Sequence, residues 1–168
     1  MPRRQILSSE EKERLLIVPD DDVFLTRMCF LSEHDLALIN KHRRPANRLG
    51  FAVLLCYLRG SGFPPDKNIS PHDGVVSRLA AHLKLQPDLW AEYASREVTR
   101  WEHLAELYRY LELSPFNRAL QKTCIRHLYP HAMRTDKGFL LAEEMLSWLH
   151  NKNVIFPSVR SEERRVGK

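Results

Sequence analysis

The chain has 168 residues, with 26 Lys+Arg against 21 Asp+Glu, a formal net charge of +5, and 43% hydrophobic residues. That length suits one domain or two small helical lobes, and it buries roughly 70% of the unfolded surface, so a core needs no disulfides. Cys29, Cys56 and Cys124 are odd in number and sit among apolar neighbours, as reduced thiols of a cytoplasmic protein do. No secretory leader follows Met1-Pro2-Arg3-Arg4, and the longest apolar run, 49–58, falls short of the ~20 residues that span a bilayer, which argues against a membrane partner.

Taken in chain order, the elements read as helices. Ser8 and Ser9 followed by Glu11 offer a capped start to a short helix ending near Ile17, before Pro19. Asp20, Asp21 and Asp22 place acids at the start of a second short helix running to Met28. Ser32 with Asp35 resembles a capping box that opens a helix over about 33–42. Pro45 restarts the chain, and residues 46–59 are apolar almost all round, the mark of a central buried helix.

Residues 60–72 form a breaker-rich loop. Val76, Leu79, Ala80 and Leu83 then repeat at helical spacing. Asp88 caps a short helix bearing Leu89, Trp90 and Tyr93. Thr99 and Glu102 suggest another capping box, with Trp101, Leu104, Tyr108 and Leu111 on one inward face. Ser114-Pro115 supplies an N-cap with proline at N1 for a helix to about Leu128, and a last helix covers about 138–150, with Leu141, Met145 and Trp148 inward. Residues 154–156 are strand-like but too short to seed a sheet. The expected fold is all-α: a compact array of about eight helices with helix-turn-helix-like elements. Its expected organisation is an N-terminal lobe over 1–62, a loop over 63–73, a second lobe over 74–159 packed on the first, and a charged tail over 160–168.

Charge is segregated along this array. Residues 36–65 and 113–135 contain no Asp or Glu. The first stretch holds Lys41, Arg43, Arg44, Arg48 and Arg59, and the second holds Arg118, Lys122, Arg126 and Arg134. Residues 31–60 sum to +3 and 91–134 to +2, whereas 1–30 and 135–159 each sum to −1. Basic surfaces on folded elements are what a phosphate backbone needs, which makes nucleic acid the first partner to consider.

Three sets of residues could carry that contact. Arg118, Lys122 and Arg126 recur every four residues and so line one side of a helix. They are either a phosphate-binding stripe or a solvated face opposite Leu120, Thr123 and Cys124. Lys41, Arg43, Arg44, Asn47 and Arg48 gather around a turn between two helices. Asn47 and Arg48 occupy the first turn, where the recognition helix of a helix-turn-helix protein reaches adenine or guanine. The alternative there is dipole compensation at the preceding helix's C-terminus. A second helix-turn-helix candidate spans 75–94, followed by Arg96 and Arg100, which could clamp phosphate or pair with Glu97 and Glu102.

Signals for catalysis and metal are weak. Cys124, His127 and His131 are ligand-type residues, but Pro130 interrupts the expected helix and no second ligand pair follows. No metal site and no cofactor is assigned. There is no phosphate-cradling glycine loop and no nucleophile–base set.

Several segments together resemble the N-terminal region of Tn-three-family transposases. They are Met1-Pro2-Arg3-Arg4, Asn47-Arg48-Leu49-Gly50-Phe51-Ala52-Val53, Cys56-Tyr57-Leu58-Arg59, Trp90-Ala91-Glu92-Tyr93-Ala94 with Arg96, and Thr99-Arg100 through Glu102-His103-Leu104-Ala105-Glu106-Leu107. The resemblance covers residues 1–160 in order. It implies a helical region that binds the terminal inverted repeats of a transposon in double-stranded DNA. It also implies catalysis by a metal-holding carboxylate triad far downstream, so that this region is not itself an enzyme and acts with the rest of a transposase or a second copy. The stretch 160–168 departs from the family pattern and resembles read-through from unrelated sequence. The alternative function is a helical module that docks other transposase segments or a host factor.

Overall fold

A computed structural model describes residues 6–65 and 69–157. The opening residues 1–5, the loop centre 66–68, and 158–168 with the charged tail lie outside the described residues. All-α architecture holds: nine helices and no strand are present among the described residues. They are α1 (Ser9–Leu16), α2 (Asp22–Met28), α3 (Glu33–Asn40), α4 (Pro45–Gly60), α5 (Asp73–Leu83), α6 (Leu89–Ala94), α7 (Glu97–Tyr110), α8 (Arg118–Ala132) and α9 (Gly138–Asn151). Two compact units divide them, one covering residues 18–111 and the other built from residues up to 17 and from 112 onward. The loop over 63–73 lies inside the first of these units.

In the 18–111 unit α4 is the hub, and α2, α3, α5, α6 and α7 all pack on it. Every residue from Leu49 to Leu58 is buried. Gly50 is what lets α6 approach: a Cβ there would lie 2.1 Å from the ring of buried Tyr93. The Tyr93 hydroxyl pairs at 2.9 Å with Nδ1 of buried His103 in α7, so α4, α6 and α7 meet at one point.

A second tie is ionic. Asp35 in α3 is 1% exposed. Arg59 of α4 grips it with two bonds of 2.7 and 2.9 Å, and the Tyr110 hydroxyl of α7 donates at 2.8 Å. The Ser32 backbone N–H donates to the same carboxylate at 2.8 Å, completing the capping box. Burial by itself pushes the Asp35 carboxyl up, but the Arg59, Ser32 and Tyr110 bonds prevail and hold it well below the usual carboxylate range.

In the other unit α9 packs on α8 and on α1. Its core is Cys124, Trp148, Leu149 and Val154, with Phe116, Leu120, Leu128, Met145 and Phe156 around them. The 154–156 segment makes one parallel bridge, Val154 to Ser114, and goes no further.

Several local expectations are corrected. Thr99 and Glu102 form no capping box, because α7 already begins at Glu97 behind an Arg96 N-cap. Trp101 is 62% exposed, since α7 turns His103 and Leu107 inward beside Leu104, which is buried as expected. Asp88 makes no side-chain cap for α6. The N-cap of α8 is Asn117, whose side chain accepts from Leu120 N at 2.9 Å, not Ser114, whose backbone is bonded to Asn153 and Ile155. Pro130 does not end α8, which runs on to Ala132. A proline in the last turn forfeits one bond to the carbonyl four residues back, and little helix follows it to be disturbed.

Candidate nucleic-acid interface

The turn between α3 and α4 begins with helix ends. Lys41 caps α3, and Arg44 is the N-cap of α4 with Pro45 at N1. The Arg44 side chain makes no cap bond, so the first turn of α4 has no side-chain acceptor and no acid. Lys41, Arg43 and Arg44 are exposed and pair with no carboxylate among the described residues. Arg48 folds back instead: its Nε donates to His42 O at 2.8 Å and an Nη donates to Arg43 O at 3.4 Å. This pins the turn and takes Arg48 off the free surface. Asn47 is half-buried, with an Oδ1 that is sealed from solvent and has no hydrogen-bond partner.

His42 adds no charge near neutral pH. Its ring lies 4.4 Å from that of Phe51 and 4.3 Å from that of His103. Burial lowers its pKa, with Lys41 acting in the same direction against the nearby Glu106. The free cations of this turn are therefore Lys41, Arg43 and Arg44.

On α8, Arg118, Lys122 and Arg126 are all exposed and none has a carboxylate partner among the described residues. The same side of the helix carries Ile125, Tyr129 and Met133, exposed by 58%, 65% and 72%. At about 100° per residue the six positions fall within roughly one third of the helix circumference. The apolar members escape a sequence reading that ends the helix at Leu128. Once the helix continues, Ile125, Tyr129 and Met133 form an i, i+4, i+8 row between the cations. Three large apolar side chains in one exposed row make a patch of the kind that marks a contact surface.

Arg96 and Arg100 are differently placed. Arg96 pairs with Glu92 at 2.7 Å, and Arg100 Nε donates to Pro65 O at 3.2 Å, with its guanidinium 5.7 Å from the Trp101 ring centre. Both are already engaged within the fold. The structure thus brings the free cations together in two places, the start of α4 and the outward face of α8.

A family model described as a domain of unknown function, DUF4158, matches residues 6–168. The transposase for transposon Tn2501 of Escherichia coli is 76% identical over 168 residues, which is 100% of this chain and 17% of that protein. This chain belongs to the Tn-three transposase family. The transposase for transposon Tn21 of Escherichia coli is 40% identical over 98% of the chain, and that for Tn1546 of Enterococcus faecium 29% identical over 97%. This transposase segment spans about one sixth of its relatives' length, 17% in the first two and 16% in the third, and corresponds to their N-terminal part. The family match and the Tn2501 alignment both run through residue 168, taking in the charged stretch over 160–168. No described helix is long and apolar enough to cross a membrane.

Proposed function

We propose that this transposase segment binds the terminal inverted repeats of its transposon as double-stranded DNA, while cutting and joining belong to other parts of a transposase. The observation that carries this reading is the outward face of α8. Unpaired Arg118, Lys122 and Arg126 suit backbone phosphates, and each phosphate neutralised releases counterions. Ile125, Tyr129 and Met133, lying between them, suit sugar edges and thymine methyl groups. Lys41, Arg43 and Arg44 form a second phosphate contact at the start of α4. The first turn of α4 has no side-chain cap bond, and the helix dipole favours an anion there. Asn47 is the base-reading residue of this turn, which requires its amide to rotate outward on binding. Arg48, Arg96 and Arg100 act behind these groups, since their guanidinium groups are already bonded.

A second reading, a module that docks another protein segment, draws on Val98 and Trp101 of α7, exposed by 74% and 62% one turn apart. One titration separates the two. The 168-residue chain is titrated by fluorescence anisotropy against a duplex carrying its transposon's end and a scrambled duplex of equal composition, at several salt concentrations. Tighter, salt-dependent binding to the end duplex supports recognition of the repeats. Equal, weak binding to both refutes it and favours docking.

A further inference from the structure

Outside the basic surfaces, one cluster among the described residues has the chemistry of a metal site. His127 and His131 stand one turn apart on α8, and Glu144 faces them from α9. Nε2 of His127 lies 2.7 Å from Glu144 Oε1, and Nε2 of His131 lies 3.8 Å from the same oxygen. One donor atom from each of the three residues falls within 4.8 Å of the other two. Nitrogen and carboxylate donors bind Zn2+ at about 2.0–2.2 Å, which sets tetrahedral donors roughly 3.4 Å apart. The two nitrogen–oxygen separations bracket that spacing, so small rotamer adjustments convert the cluster into a three-donor cage.

We propose that His127, His131 and Glu144 hold one divalent first-row transition-metal ion, Zn2+ foremost, clipping α8 to α9. Two imidazoles and a carboxylate are a borderline donor set that prefers Zn2+ and its neighbours to Mg2+ or Ca2+. All three side chains are a third or more exposed, which leaves a fourth coordination position to water. The Trp148 ring, 5.8 Å from that of His127 and nearly parallel to it, holds one imidazole in place. Pro130 is no obstacle, because α8 carries His127 and His131 through it in helical register. Cys124 stays outside the set: it is 4% exposed and packs into the core with Trp148 and Leu149. The clip would fix the helix whose outward face carries Arg118, Lys122 and Arg126, although the metal site stands independently of any DNA role.

The test uses the tag-free 168-residue chain freed of metal with a chelator, then titrated with Zn2+ by calorimetry and with Co2+ by visible absorption. Saturation at one equivalent, a rise in Tm with Zn2+, and Co2+ bands without a thiolate charge-transfer band are expected. Glu144→Gln keeps an acceptor for His127 and thus the fold, which circular dichroism checks. It should weaken binding by at least the roughly 10–100-fold that losing an outer-shell partner costs, as should His131→Ala. His82→Ala, at an exposed position of α5, should leave binding unchanged. Absence of saturable binding overturns the proposal, and so does a Zn2+ affinity in the Glu144→Gln or His131→Ala protein equal to that of the native chain. A thiolate band that vanishes with Cys124→Ser overturns this donor set.

Discussion

Replacing Arg118, Lys122 and Arg126 together by alanine isolates the electrostatic part of the α8 contact. All three are exposed and unpaired among the described residues, so the change removes charge without uncovering a buried partner. Alanine is also the best helix former, which protects α8 itself. Each phosphate contact contributes about 0.9 to the slope of log affinity against log salt, so three contacts contribute about 2.7. Between 50 and 200 mM salt, that slope difference shrinks the native protein's advantage over the variant by roughly 40-fold. Anisotropy titrations of both proteins on one duplex, at four or five salt concentrations, give the two slopes directly. Tyr129→Ala should behave differently, weakening binding by a similar factor at every salt concentration because an apolar contact releases no ions. Identical slopes for the native and triple-alanine proteins would refute the phosphate assignment and leave α8 with a solvated face.

Three further outcomes test the fold that presents these surfaces. Gly50→Ala should destabilise the protein by roughly 1–3 kcal/mol in urea melts despite alanine's better helix propensity, because its Cβ would sit 2.1 Å from the Tyr93 ring. Arg59→Ala should cost about 3 kcal/mol in the same assay: it strands the 1%-exposed Asp35 carboxylate, and water screening of the 38%-exposed Arg59 keeps the loss from being larger. Acid should remove stability from the 18–111 unit in two steps. Burial, reinforced by His42, holds the His103 pKa down at about 4, so stability present above the unfolded histidine value of about 6.5 falls by on the order of 3 kcal/mol as pH drops to 4. The Asp35 contribution, present above the unfolded carboxyl value of about 4, is then shed at lower pH, and a melt series from pH 7 to pH 2 that is flat between 6.5 and 4 would contradict the histidine step.

What could be read from sequence was local. The capping boxes at Ser8 and Ser32 both form, because each places a side-chain acceptor and a returning carboxylate within one turn. The buried character of α4 followed from its unbroken apolar run. Thr99 and Glu102 had the same spacing, yet a capping box also needs an extended backbone at its first residue, and α7 is already helical there. Trp101 was placed inward because helical periodicity fixes only a stripe; the choice of face fell to His103 and its bond to Tyr93. The remaining misses were contacts between distant positions. Asp35 meets Arg59 and Tyr110 across 24 and 75 residues, and His127 meets Glu144 across 17, with no local signal for either. The basic candidates were legible as a set, but only coordinates separate the free cations from Arg48, Arg96 and Arg100, which bond inside the fold.

The direction of the helix dipoles gives a last reason to assign the free cations to an external anion. Acids in the first turn stabilise a helix, and α1, α2, α3, α5, α6 and α7 each carry at least one. Helices α4, α8 and α9 carry none; instead Arg44 sits at the N-cap of α4, Lys137 at that of α9 and Arg118 at the first position of α8. A cation there repels the positive helix end at a cost of roughly 0.3–1 kcal/mol, which an external anion bound at α4 or α8 would offset. Arg118→Glu reverses the repulsion and adds a favourable pairing with Lys122 four residues on. The free protein should therefore gain about 1 kcal/mol, seen as a Tm rise of roughly 2–4 °C. The same change places a negative charge against the duplex and should weaken end binding at low salt more than Arg118→Ala does. A variant that is more stable and binds less well shows that this position was kept for an anion at the expense of the fold. A variant that gains stability and binds DNA undiminished would remove Arg118 from the interface.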